Sequence, residues 1–188
     1  MNQVSTMTND RRGQTQWYVI TGGPGSGKTT TVDLLSKRGY KTTIEHARHY
    51  IDTQRISGKT VEEVRKNQAE FQSGVLDMQL KQERSISPDD IVFLDRAIPD
   101  SLAYCRFLNL EPDEKLLNAM TKVSYKKIFI LDVLPLVKDY ARREDEAGQR
   151  KIHELLTVVY ESLPFPVIHV PVMPPEERVD FILKNLEK

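Results

Sequence analysis

The stretch Gly22-Gly23-Pro24-Gly25-Ser26-Gly27-Lys28-Thr29 constrains this chain more than any other. It matches G-x-x-x-x-G-K-[ST] at every fixed position. It also lies where that pattern carries meaning, between an apolar run, Trp17–Thr21, and an amphipathic stretch that begins near Gly27. Glycines let successive backbone N–H groups converge on one point, and the start of a helix adds its positive end. The product is a nest for a polyphosphate anion. Gly23, Pro24, Gly25, Ser26 and Gly27 form the cradle, and Thr30 continues it into the first helical turn. Lys28 would reach the β- and γ-phosphates, and the Thr29 hydroxyl would ligate Mg²⁺. The expected ligands are therefore Mg²⁺ and a nucleoside triphosphate, ATP with GTP not excluded.

The rest of the composition narrows the setting. A chain of 188 residues suits one domain, and it leaves no room for the second, helical domain of a motor ATPase. Lys plus Arg number 27 and Asp plus Glu number 27, a balance that argues against a polyanionic partner such as nucleic acid. Cys105 is the one cysteine, so an internal disulfide and a cysteine-built zinc site are both excluded and a cytoplasmic setting is expected. A membrane span needs about twenty apolar residues, whereas runs such as Ile128-Phe129-Ile130-Leu131 stop far short. Residues 1–16 are polar and lack the apolar segment of a signal peptide, so they read as a disordered tail before a single domain at 17–188.

Short apolar runs alternate with longer amphipathic stretches, the pattern of an α/β domain with a parallel sheet. Strands are expected at Trp17–Thr21, Lys41–Glu45, Ile91–Asp95, Ile128–Asp132 and Val167–Val170. The third and fourth have no polar alternation and suit burial on both faces. Helices are expected from about Gly27 to Arg38, from Thr60 to before Pro88, from Pro99 to about Leu108 and from Asp113 to Met120. Two more follow, from Lys138 to Ser162 with an interruption near Gly148, and from Pro175 onward. Thr60-Val61-Glu62-Glu63 is a capping-box pattern. Right-handed crossovers then lead to a doubly wound, three-layer arrangement.

Phosphate chemistry also needs an acidic residue at the end of a neighbouring strand to organise the metal. Asp95 and Asp132 each close an apolar run. Asp95 is favoured, because Arg96 places an anion-binding group beside it. Asp132 is followed by Val-Leu-Pro, the pattern of a strand exit.

The loop at Gly22–Thr30, taken with Asp95-Arg96 and Leu131-Asp132-Val133, resembles P-loop kinases of the thymidylate and deoxynucleoside kinase group. Glu45-His46-Ala47-Arg48, Phe71-Gln72, Asp95-Arg96 with Asp100 and Ala103-Tyr104-Cys105, and Glu176-Glu177-Arg178 more closely resemble a family of small kinase-like "AAA" P-loop proteins. That family includes relatives of the ribosyl-nicotinamide kinase module of bacterial NAD regulators. The resemblance implies a five-stranded parallel sheet of order 2-3-1-4-5 with a helical lid, and a site at the carboxyl ends of the strands. It implies that Glu45 accepts a proton from an acceptor hydroxyl, with a surface glutamate as the alternative. Arg48 and Arg96 would bind an acceptor phosphate or orient Glu45. Asp100 and Tyr104, one helical turn apart, would read a ribose or a base, or else pack. His46 and His49 read as packing or surface residues.

The segment KDYARREDEAGQRK at 138–151 is a charge run, which by itself suits a solvated helix face. Its place after the fourth strand is where such kinases keep a lid, here about 136–151, and Arg142, Arg143 and Arg150 would then stabilise the transferring phosphoryl group. Two functions compete. One is Mg²⁺-dependent transfer of the ATP γ-phosphoryl to a small-molecule acceptor, whether a nucleoside, a nucleotide or a cofactor precursor. The other is a nucleotide-binding switch with no acceptor. Nothing in the sequence decides between a monomer and a homodimer.

Overall fold

The computed structural model describes residues 14–56, 58–134 and 146–187. Five parallel strands form one sheet in the order β2-β3-β1-β4-β5: β1 Trp17–Thr21, β2 Lys41–Thr42, β3 Val92–Asp95, β4 Lys127–Leu131 and β5 Val167–Val170. The order and the parallel pairing are those expected. The chain switches direction at β1, so the ends of β1 and β3 open a crevice beside the glycine loop.

The helices among the described residues are α1 Lys28–Lys37, α2 His46–Ile56, α3 Val61–Lys66, α4 Gln68–Ser85, α5 Ile98–Phe107, α6 Glu114–Met120, α7 Glu146–Glu161 and α8 Pro175–Lys184. Successive strand residues face opposite ways, so β1 feeds two cores. Trp17 and Val19 join Ile128, Ile130, Ile152, Leu156 and Tyr160 on the α5/α7 side. Tyr18 and Ile20 join Phe93, Phe129, Val32, Leu35, Val179 and Ile182 on the α1/α8 side.

Four expectations need correction. The second strand is shorter than expected, Lys41–Thr42; Thr43 is tied to β3 by its N–H, which donates to Phe93 O at 3.0 Å, and by its hydroxyl, which accepts from Asp95 N at 2.8 Å. Helix α2 then follows, a helix the sequence reading did not include. The long helix from Thr60 breaks at Asn67, whose extended backbone (φ −102°, ψ 92°) and side chain, accepting from Glu70 N, start α4 anew. Gly148 does not interrupt α7. At the amino end, Thr15 and Gln16 belong with the body rather than a tail. Thr15 is fully buried and donates to Ser124 O, while Gln16 N donates to Pro88 O. The capping box at Thr60 is formed as expected, with Thr60 N donating to Glu63 and Glu63 N to the Thr60 hydroxyl.

Candidate active site

The glycine loop joins β1 to α1 and is buried along most of its length. Three of its glycines have a positive φ, Gly22, Gly25 and Gly27, and at the first and last of them neighbouring atoms also leave no room for a side chain. At Gly22 (φ 143°) an added Cβ would stand 2.9 Å from Ser26 Oγ and meet the carbonyl of Leu131. Gly27 (φ 80°) is left-handed immediately before α1 and lies against the Arg178 guanidinium. The Lys28 ammonium donates to the carbonyls of Gly22 and Gly23, both at 2.9 Å, and to Ser26 Oγ at 3.2 Å. Burial, followed by the nearby charge of Arg96, pushes its pKa down to about 7. Thr29 and Thr30 are exposed at the start of α1, and Thr29 lines a cavity of about 720 Å³.

That cavity extends from the loop to the ends of β2 and β3. Lys28 and Thr29 line it together with Glu45, Arg48, Arg96, Asp100 and Tyr104, and the charges of Arg96, Glu45 and Asp100 act on the Lys28 ammonium. Helices α2, α4 and α5 contribute an apolar wall of Ile51, Phe71, Val75 and Phe107, and Gln72 and Gln79 line the cavity beside it. The folded chain thus brings together the phosphate loop and the candidate acceptor residues, which lie on different elements.

Arg96 has a left-handed backbone (φ 65°), fixed by its N–H bond to Ile20 O at 3.0 Å. Its guanidinium donates to Asp100 Oδ1 at 2.8 Å, lies 3.6 Å from Glu45 Oε1 and sits over the Tyr104 ring at 5.5 Å. Arg48 approaches the other Glu45 oxygen, also at 3.6 Å. Asp100 is a deeply buried hub: Thr21 Oγ1, Arg96, Ala97 N and the Tyr160 hydroxyl all donate to it. Its carboxylate thus holds Arg96 in place from behind.

The two acids at strand ends occupy different surroundings. Asp95 is 3% exposed, and the charges that act on it are those of Glu45, Lys28, Arg96 and Asp100; burial first, and then Glu45, raise its pKa to about 7. Its Oδ1 has no hydrogen-bond partner among the described residues. A buried carboxylate oxygen lacking a donor, close to the Lys28-Thr29 turn, fits a hard cation such as Mg²⁺ that takes most of its ligands from phosphate and water. Asp132 instead acts on His153 and Arg178; neither acid is among the residues that line the cavity.

Three residues that brace the loop from outside had no role in the sequence reading. Gln149 on α7 donates to Pro24 O at 2.7 Å and to Leu134 O at 3.1 Å. One turn later, His153 Nδ1 accepts from Gly23 N at 3.3 Å. Arg178 on α8 donates to Ser26 O at 2.7 Å. The one signal for them was their spacing: Gln149 and His153 stand at i and i+4 on an amphipathic helix, and Arg178 belongs to the quoted Glu-Glu-Arg run. Leu134 N also donates to Gly25 O at 3.2 Å, so the loop is held on its outer side by three elements. His46 is buried and its pKa falls to about 4 through burial, as suits a packed neutral ring. Arg142 and Arg143 lie outside the described residues. Arg150 is within them, exposed and 3.3 Å from Glu146.

An AAA domain family model matches residues 17–178. The chain belongs to that family. No curated protein matches significantly. Deoxyadenosine kinase from M. mycoides with bound dCTP superposes with a TM-score of 0.66 at 16% identity, covering 91% of this chain and 98% of that one. Thymidylate kinase from Ehrlichia chaffeensis gives 0.66 at 16% identity, covering 94% and 100%. The NadR protein in complex with NR gives 0.60 at 18% identity, covering 93% of this chain and 50% of that one. This member of the AAA domain family therefore has the fold of P-loop nucleoside and nucleotide kinases. Among its described residues no helix is long and apolar enough to cross a membrane.

Proposed function

We propose that this AAA domain protein is a small-molecule kinase that transfers the γ-phosphoryl group of ATP to a nucleoside, a nucleotide or a related cofactor precursor. The observation that carries the reading is one cavity lined by Lys28 and Thr29 of the phosphate loop, by Glu45 and Arg96, and by an apolar wall from α2, α4 and α5. A switch that only binds and hydrolyses a nucleotide has no use for such an apolar-walled compartment beside the phosphate loop.

The loop N–H groups and Lys28 cradle the donor phosphates, and Lys28 exchanges its bonds to the Gly22 and Gly23 carbonyls for phosphate oxygens. Thr29 and Asp95 would hold Mg²⁺, which neutralises charge on the β- and γ-oxygens. Arg96, aligned by Asp100, fixes the Glu45 carboxylate, and Glu45 takes the proton of the attacking hydroxyl. Catalysis is then positioning and charge neutralisation.

The test is ADP formation from Mg-ATP with a panel of nucleosides, nucleotides and cofactor precursors. The expected result is ADP formation stimulated many-fold by at least one acceptor. ADP release that no acceptor accelerates would sink the reading.

A further inference from the structure

Likeness to both a nucleoside kinase and a nucleotide kinase leaves the charge state of the acceptor open, whereas the arginines of this chain bear on it. This inference rests on the kinase reading above. Binding a phosphorylated acceptor requires cationic groups with bonds to give. Arg96 is 8% exposed and already committed: Asp100 takes one nitrogen at 2.8 Å, Glu45 lies 3.6 Å from another, and the Tyr104 ring covers its face. Arg48 faces the second Glu45 oxygen.

Neither carboxylate can withdraw without cost. Asp100 is held by Thr21, Ala97 N and Tyr160 as well as Arg96, so its charge stays where it is. Glu45 lies between two guanidinium groups, 3.6 Å from Arg96 and 3.6 Å from Arg48. An acceptor monophosphate, carrying about −1.5 to −2 charges at neutral pH, would enter against Glu45 and Asp100 while the arginines stayed paired with them. A neutral alcohol meets none of this repulsion. It finds a carboxylate to take its proton and, in Phe71, Phe107, Ile51 and Val75, an apolar wall against which a planar ring can lie.

We propose that the acceptor is an unphosphorylated nucleoside, selected against its own monophosphate by the Glu45–Arg96–Asp100 cluster. In the step itself, the nucleoside hydroxyl oxygen bonds to the γ-phosphorus of ATP. The bond from that phosphorus to the β,γ-bridging oxygen breaks, ADP leaves with the bond pair, and the hydroxyl proton passes to Glu45.

The experiment pairs each common ribo- and deoxyribonucleoside with its 5′-monophosphate, reading ADP formation from Mg-ATP and, by calorimetry, acceptor binding to the full chain. At least one nucleoside should stimulate ADP formation about tenfold or more over its monophosphate, and bind correspondingly tighter. In Glu45→Gln, the affinity for the monophosphate should rise about tenfold while that for the nucleoside stays within a few-fold, the signature of a removed repulsion. A monophosphate phosphorylated as fast as its nucleoside, or faster, overturns this inference and leaves the kinase reading standing. Unchanged monophosphate affinity in Glu45→Gln overturns it as well. If no nucleoside or monophosphate accelerates ADP formation, this inference fails; if cofactor precursors also leave it unaccelerated, the kinase reading fails too.

Discussion

Lys28 and Asp95 are two opposite charges in a dry pocket, and burial moves both toward neutrality, each to about 7. For Lys28 this has a measurable consequence. At about pH 8 the free protein holds Lys28 largely neutral, and arriving phosphate charge restores the ammonium, so ATP binding without divalent cation should include the uptake of close to one proton at Lys28. The uptake should shrink toward zero by about pH 6, where Lys28 is already protonated. Calorimetry in buffers of different ionisation enthalpy reads this directly, and Lys28→Met should abolish it. Arg96 supports a second prediction. Arg96→Ala leaves the Asp100 carboxylate buried without its guanidinium and should lower stability by about 3–5 kcal/mol in urea denaturation. Adding Asp100→Asn to that variant should recover part of the loss, because the stranded charge is then gone.

Between elements, the decisive contacts are close approaches at glycines and a few long hydrogen bonds. Helices α2 and α4 meet where Gly74 lies under the Tyr50 ring, which in turn packs edge-on to Phe71 at 5.5 Å. A Cβ at Gly74 would overlap that ring, so Gly74→Ala should displace α2 and with it Arg48. The expected outcome is a rise of about tenfold in acceptor KM, with the ATP KM nearly unchanged and a stability loss of about 1–3 kcal/mol. The opposite partition is expected on the other side of the loop. Gln149→Ala leaves the buried Pro24 carbonyl without its donor and loosens the loop from α7, raising the ATP KM several-fold at a cost of about 1–3 kcal/mol. Steady-state kinetics with each substrate varied in turn separates the two.

Over the whole molecule, the sheet is buried by two cores that meet only through its strands, so the phosphate loop at its edge is tied to both. Gln149 and His153 reach it from the α5/α7 side, and Arg178 from the α1/α8 side. Ligand binding at the loop should therefore stabilise the domain as one unit. ATP at a hundred times its Kd should add about 2.7 kcal/mol and raise Tm by roughly 5–10 °C in a single transition. A biphasic melt, or one that ATP leaves unmoved, would contradict that coupling.

The amino-acid sequence alone determines the loop at Gly22–Thr29, the apolar strands on either side of β1 and the capping box at Thr60. Each is local: a fixed spacing, an unbroken apolar run, or a side chain reaching three residues along its own backbone. The resemblance carried by quoted motifs extended this to the strand order. The break at Asn67 and helix α2 were not read, because capping by a lone Asn and a short helix rich in polar residues give weak periodic signals. Only the tertiary structure decided that Asp100 is held by Thr21 and Tyr160, that Arg96 is already occupied, and that α7 grips the phosphate loop. The contacts of Asp100 with Thr21 and Tyr160 and those of α7 with the loop join residues 60 to 130 positions apart. Which donors reach a buried carboxylate depends on how two helices pack across a sheet, and no spacing along the chain encodes that distance.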